Sequence, residues 1–168
     1  MSAVSRILVG VVGPGGGARA TDLAAAYELG RLIARAGWVL VTGGRAAGVM
    51  EAASRGAHEA GGLTVGILPG EDAAGASAFV HLPVVTGIGQ ARNNVNVLTA
   101  RALVACGMGA GTASEVALAI KAGKPVVLLN AGAEAEAFFR SIGGPLVSVA
   151  DSPPAAVENI GRQLGSAP

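Results

Sequence analysis

Seven short apolar runs punctuate the chain, at residues 7–12, 38–42, 64–68, 80–86, 103–106, 125–129 and 146–149. They are rich in β-branched residues and apolar at consecutive positions, the pattern of strands covered on both faces. Between them lie alanine-rich stretches that predict helices near 21–36, 49–61, 89–101, 112–122, 133–142 and 154–164. Strand–helix alternation of this kind predicts an α/β fold: a single Rossmann-like, doubly wound parallel sheet of about seven strands with helices on both faces. No linker or compositional break divides the 168 residues, so one domain over 1–168 is expected. Residues 70–79 are the most loop-like stretch and are expected to be mobile.

Composition narrows the picture. Hydrophobic residues make up 51% of the chain and charged residues 14%, which excludes intrinsic disorder. Glycine is 27 of 168 residues, more than twice the usual level of about 7%. Aromatics are only 3%, too few for base-stacking platforms, and the net charge is +1. No nucleic-acid partner is therefore expected. Cys106 is the sole cysteine, so no intrachain disulfide or Cys-rich metal site forms, and a reducing, cytoplasmic setting is expected. The first apolar run is too short for a signal peptide and no run is long enough to span a membrane. His58 and His81 lack metal-ligand spacing, so no metal site is expected. His58 is expected to be exposed and Cys106 to be a small buried hydrophobe.

In a doubly wound sheet, ligands bind beyond the carboxyl ends of the strands. The residues there are glycine-rich at several successive strands, a stronger signal than any one turn. The first turn, Gly13-x-Gly15-x-x-Ala18, has the form of a dinucleotide fingerprint, which also needs an acid about 20 residues on to hold the ribose. The second strand ends Val41-Thr42-Gly43-Gly44 with no acid, so a nicotinamide-dependent dehydrogenase is rejected. The turn then reads either as a tight bend or as backbone N–H groups approaching a phosphate. Gly43-Gly44-Arg45-x-x-Gly48 adds a guanidinium suited to phosphate, and no Gly-Lys-Ser/Thr follows to make it a P-loop. Arg92-Asn93-Asn94-x-Asn96 opens a helix, with Arg92 and Asn96 on one face, either satisfying the helix start or recognising a sugar, base or phosphate. Gly109-x-Gly111-Thr112-x-x-Glu115 opens the next helix with a capping box, with Glu115 either a cap or an acid/base or sugar-binding carboxylate at the pocket rim. No Gly-x-Ser-x-Gly nucleophile elbow is present.

These motifs occur in an order that resembles a known family. Thr42-Gly43-Gly44-Arg45-x-x-Gly48-Val49-Met50-Glu51, Gly66-Ile67-Leu68-Pro69-Gly70, Thr86-Gly87-x-Gly89-x-Ala91-Arg92-Asn93 and Gly109-x-Gly111-Thr112-x-x-Glu115 are similar to the LOG-like Rossmann proteins, once labelled possible lysine decarboxylases. The likeness covers roughly residues 6–130 and is nearest the small branch that includes molybdenum-cofactor carrier proteins. It implies a phosphorylated nucleotide-like ligand at the rim of the sheet. Two functions follow from it. One is hydrolysis of the N-glycosidic bond of nucleoside 5′-monophosphates, with Arg92 and Glu115 catalytic. The other is non-catalytic carriage of molybdenum cofactor, a phosphorylated pterin. Gly13, Gly15, Gly43, Gly44, Arg45, Gly48, Asn93, Asn96, Gly109, Gly111 and Thr112 are the expected ligand-binding residues. Gly107 and Met108 stand where the family has Pro and Gly, and Arg45 where it has Gly, changes that bear on ligand preference. The resemblance also implies a homodimer or homotetramer, for which the alanine-rich helix 112–122 offers a small-residue face.

Overall fold

The computed structural model describes residues 6–165. Its elements are β1 (Leu8–Val12), α1 (Ala20–Arg35), β2 (Val39–Thr42), α2 (Gly48–Glu59), β3 (Thr64–Leu68), β4 (Leu82–Val85), α3 (Arg92–Thr99), β5 (Ala102–Cys106), α4 (Ala110–Lys121), β6 (Val126–Leu129), α5 (Ala133–Gly143), β7 (Val147–Ala150) and α6 (Pro153–Leu164). Single 3-10 turns precede α3 and β7. The strands form one all-parallel sheet in the order β4-β3-β2-β1-β5-β6-β7. The chain winds outward from β1 to β4, then crosses back to β5 on the other side of β1. The gap between the ends of β1 and β5 is thus the switch point, where a doubly wound sheet leaves a crevice.

Consecutive apolar residues make this sheet because each strand buries both faces. Val9, Val11, Val104 and Cys106 face a core formed with α1, α2 and α6, while Val12, Leu103, Ala105 and Leu128 face a second core under α3, α4 and α5. Small residues bring the layers close. Gly30 of α1 and Gly56 of α2 each sit where a Cβ would strike the backbone of the other helix.

Three expectations change. Strand β4 is not covered: Leu82, Val84 and Val85 are exposed, because β4 is an edge strand against which no helix packs closely. The stretch 70–79 is tied to the Arg45 loop, since Ser77 N–H donates to Gly44 O at 2.8 Å and Ala46 N–H to Gly75 O at 2.9 Å. Helix α4 starts at Ala110 with Gly109 as its N-cap. In that frame Thr112 is the third helical residue and Glu115 lies well inside the helix, so the predicted capping box does not form.

His58 is exposed as expected, yet its ring stacks on His81 at 4.9 Å. Thr64 Oγ1 donates its one proton to Phe79 O at 2.7 Å, so it accepts from His81, whose Nδ1 lies 2.8 Å away and carries the proton. The pair braces the chain entering β4. Among the described residues no group of three or more His, Cys, Asp or Glu is placed to hold a metal, and no helix is long and apolar enough to cross a membrane.

Candidate functional site

The switch-point crevice is a cavity of about 260 Å³. Gly13, Gly15, Gly43, Arg45, Arg92, Asn93, Gly109, Gly111, Thr112 and Glu115 all line it. Residues 80 and more positions apart in sequence meet there because the ends of β1, β2 and β5 and the start of α3 converge. Pro14, Gly16, Met50, Gln90 and Ala110 complete much of the wall. Sequence reasoning did not single out Gln90, although its place in Gly87-x-Gly89-Gln90-Ala91-Arg92 marks it as a rim residue.

Gly44, Gly48 and Asn96 stand behind the wall. Gly48 has φ +52°, and a Cβ there would collide with the carbonyls of Pro14 and Gly15. It lets the loops after β1 and β2 touch, which closes the cavity floor. Gly43 gives the Arg92 guanidinium its room, since a Cβ at that position would collide with it. Asn96 is 3% exposed and donates through Nδ2 to Glu115 Oε1 at 2.8 Å. Asn93 donates in the same way to Ser114 Oγ at 3.0 Å, tying α3 to α4 a turn away.

The cavity wall contains buried polar atoms with no partner. Arg92 is 7% exposed and its Nε has no acceptor; Thr112 is 3% exposed and its Oγ1 has no partner. An unsatisfied buried polar group costs about 1–3 kcal/mol, so these atoms leave hydrogen-bonding capacity unused in the cavity wall. Thr112 lies in the first turn of α4, whose first N–H groups have no side-chain cap, and Arg92 opens α3 on the same cavity. Burial lowers the Arg92 pKa, the charge of Glu115 opposes this, and the charge of Arg45 adds to it. Two guanidiniums therefore act on the same space. Burial pushes the Glu115 carboxyl up from its ordinary range, against the pull of the Asn96 hydrogen bond and of Arg92. Among the described residues neither forms an ion pair within 4.0 Å. The result is a pocket with excess positive charge, open backbone donors and one carboxyl group.

The first glycine turn contributes differently from its fingerprint. Helix α1 starts at Ala20, and Asp22 occupies its first turn. The Asp22 carboxylate accepts from Arg19 N–H at 3.1 Å, from Arg19 Nε at 3.0 Å and from Arg19 Nη2 at 2.9 Å. Those bonds hold its carboxyl below the usual range although burial works against them. An anion at that helix start would meet a carboxylate. Gly13 and Gly15 line the cavity as close backbone, while the dipole of α1 is already used. Beneath this turn Cys106 is wholly buried, its thiol donating to Asp22 O at 3.4 Å and its pKa pushed up to about 12 by burial.

A parallel doubly wound sheet with glycine turns, Arg92 and Glu115 at its switch point fits the LOG-like Rossmann proteins. The chain belongs to the SLOG cluster4 family, whose profile matches residues 6–157. Among solved structures it is 49% identical to the molybdenum cofactor binding protein from the phototrophic bacterium Rippkaea orientalis, with a TM-score of 0.94 over 96% of this chain and 99% of that one. It is 50% identical to the Moco carrier protein from Chlamydomonas reinhardtii, with a TM-score of 0.91 over 96% of this chain and 99% of that one. An uncharacterized protein of Archaeoglobus fulgidus is 45% identical over 105 residues, 62% of this chain and 68% of that protein.

Proposed function

We propose that the protein is a non-catalytic carrier that holds molybdenum cofactor, a phosphorylated pterin–dithiolene, in the switch-point cavity. The observation that carries this reading is the pair of partnerless buried atoms, Arg92 Nε and Thr112 Oγ1, beside the uncapped start of α4. A phosphate monoester supplies the acceptors that Arg92 and the free N–H groups need, and its charge complements the helix dipole. Arg45, exposed at the rim, adds charge where the ligand enters. The likeness to carrier proteins at 49–50% identity over nearly the whole chain supports the same cargo. Pro14 and Met50 give the pterin an apolar wall. In this role the residues only bind and shield, so no bond need break.

Hydrolysis of a nucleoside 5′-monophosphate takes second place. It is favoured by Arg92 and Glu115 lining one cavity and by the raised Glu115 carboxyl, a property of general acids. Incubation with AMP separates the two. The carrier reading expects AMP to remain intact while molybdenum cofactor binds at about one per chain. Steady release of adenine and ribose 5-phosphate overturns it. Self-association into a dimer or tetramer is part of the proposal, supported by the exposed Leu82, Val84 and Val85 of β4 and the small exposed face of α4 at Gly111, Ser114 and Ala117. Sedimentation at micromolar concentration should show a species heavier than the 16.3 kDa chain.

A further inference from the structure

The cavity is electrically two-ended. Its positive end is the start of α4 with Gly109, Ala110 and Gly111. Its other end is Glu115, five residues beyond Ala110 on the same helix, a rise of roughly 7 Å between the two backbone positions. A phosphate at the first end is attracted; a second anionic group at Glu115 would be repelled. Glu115 is held in place, because Asn96 donates to Oε1 and α3 packs on α4. That single bond leaves most of the carboxylate's capacity free, since each oxygen accepts more than one hydrogen bond. Glu115 is 6% exposed and lines the cavity, and its second oxygen, which takes no hydrogen bond among the described residues, is open to a ligand there.

We propose that Glu115 is the specificity residue of the cavity, accepting two neighbouring N–H donors from a 2-amino-4-oxopyrimidine edge while the ligand's phosphate occupies the start of α4. The 2-amino group and adjacent ring N–H of a pterin or guanine lie side by side and match the two oxygens of a carboxylate. Adenine, xanthine-like and lumazine-like rings do not present this pair. Asn96 is a positioning residue in this scheme: it fixes the plane of the carboxylate and does not touch the ligand. The assignment rests on the reading of the cavity as a phosphate-ligand site and names the ring that site selects. It does not depend on the ligand carrying molybdenum.

The test uses 6-hydroxymethylpterin phosphate and its lumazine counterpart, in which an oxo group replaces the 2-amino group. Inorganic phosphate serves as the third probe. The wild type should bind the pterin phosphate at least tenfold more tightly than the lumazine phosphate, the scale of one good bidentate pair. Glu115→Gln should bring the two within threefold of each other, because an amide offers a donor where the edge needs an acceptor. Its affinity for inorganic phosphate should stay at or above the wild-type value, which also reports that the variant is folded. Equal binding of the two pteridines by the wild type overturns the assignment, as does a preference that survives Glu115→Gln. If inorganic phosphate still binds in either case, the phosphate cavity stands and only the ring assignment falls. Failure of all three probes to bind the wild type removes the cavity reading and this inference together. Failure to bind molybdenum cofactor, with the pterin preference intact, removes only the carrier.

Discussion

Helices α1 and α4 begin at the same rim, each after a glycine-rich turn from a central strand, and they treat their starts in opposite ways. At α1 the polar groups answer one another: Asp22 takes three hydrogen bonds from Arg19, and Arg19 Nη2 also donates to Asn130 O at 2.7 Å. At α4 no acid occupies the first turn, Thr112 Oγ1 has no partner, and Arg92 Nε, on the same cavity, has no acceptor. The first start is closed and contributes to stability. The second is open, costs stability in the free protein, and recovers that cost when an anion binds. Glycine turns alone would not have told them apart; the side chains within the first helical turn do.

The largest effect should come from breaking the open start. Arg92→Ala removes a buried guanidinium, and calorimetry should show affinity for a phosphorylated pterin falling by about 1.5–3 kcal/mol, the range for hydrogen bonds to charged groups. The melting temperature should hold or rise, because an unpartnered buried cation has been removed. A large loss of stability with little loss of affinity would place Arg92 in the architecture.

The mirror experiment is Asp22→Asn at the closed start. It should destabilise the fold by about 1–3 kcal/mol near neutral pH and leave phosphate affinity within twofold. The Asp22 carboxyl sits below its ordinary pKa of 3.8, so the folded state releases its proton more readily than the unfolded one. Its contribution is therefore complete above about pH 4 and is lost as pH falls through the lowered value. The wild type and Asp22→Asn should converge in stability in strong acid. Divergence there would contradict the sign.

Glu115 should show the opposite dependence. Its carboxyl is raised above the ordinary 4.5, so the folded state binds the proton more tightly, and stability falls as pH climbs upward from that value. Glu115→Gln lacks this cost, and at pH 7 it should be at least as stable as the wild type. Chemical denaturation across that range measures the difference directly. The smallest effect belongs to Arg45→Ala. Arg45 is exposed, so its loss should lower affinity by less than tenfold, and the difference should shrink as salt rises toward physiological levels.

The sheet was legible in the sequence because parallel strands buried on both faces need consecutive apolar residues, as in Val126–Leu129. The exposure of β4 was not, since Leu82 and Val84 read as core until the strand order places them at an edge. Most of the cavity was also legible. Glycine turns after β1, β2 and β5 had to face one rim, and Arg92, Asn93, Thr112 and Glu115 stood at the openings of the following helices. The true start of α4 was hidden. Thr112-x-x-Glu115 has the spacing of a capping box, yet Ala110 and Gly111 already carry helical geometry, which shifts both side chains from capping the helix to lining the cavity. The Arg19–Asp22 lock was missed because Arg is an unusual N-cap and the pairing draws on Asn130, over 100 residues away. The His58–His81 stack was missed because residues distant in sequence meet only where the end of α2 lies beside the chain entering β4.

The claim that the open start of α4 holds a phosphorylated cargo is tested most directly by what the protein carries. Purified protein should be denatured and its released small molecules identified by mass spectrometry. A phosphorylated pterin, intact and near one per chain in the wild type and depleted in Arg92→Ala, is the predicted result. Release of no phosphorylated compound by the wild type, or of ribose 5-phosphate together with a free base, would contradict it.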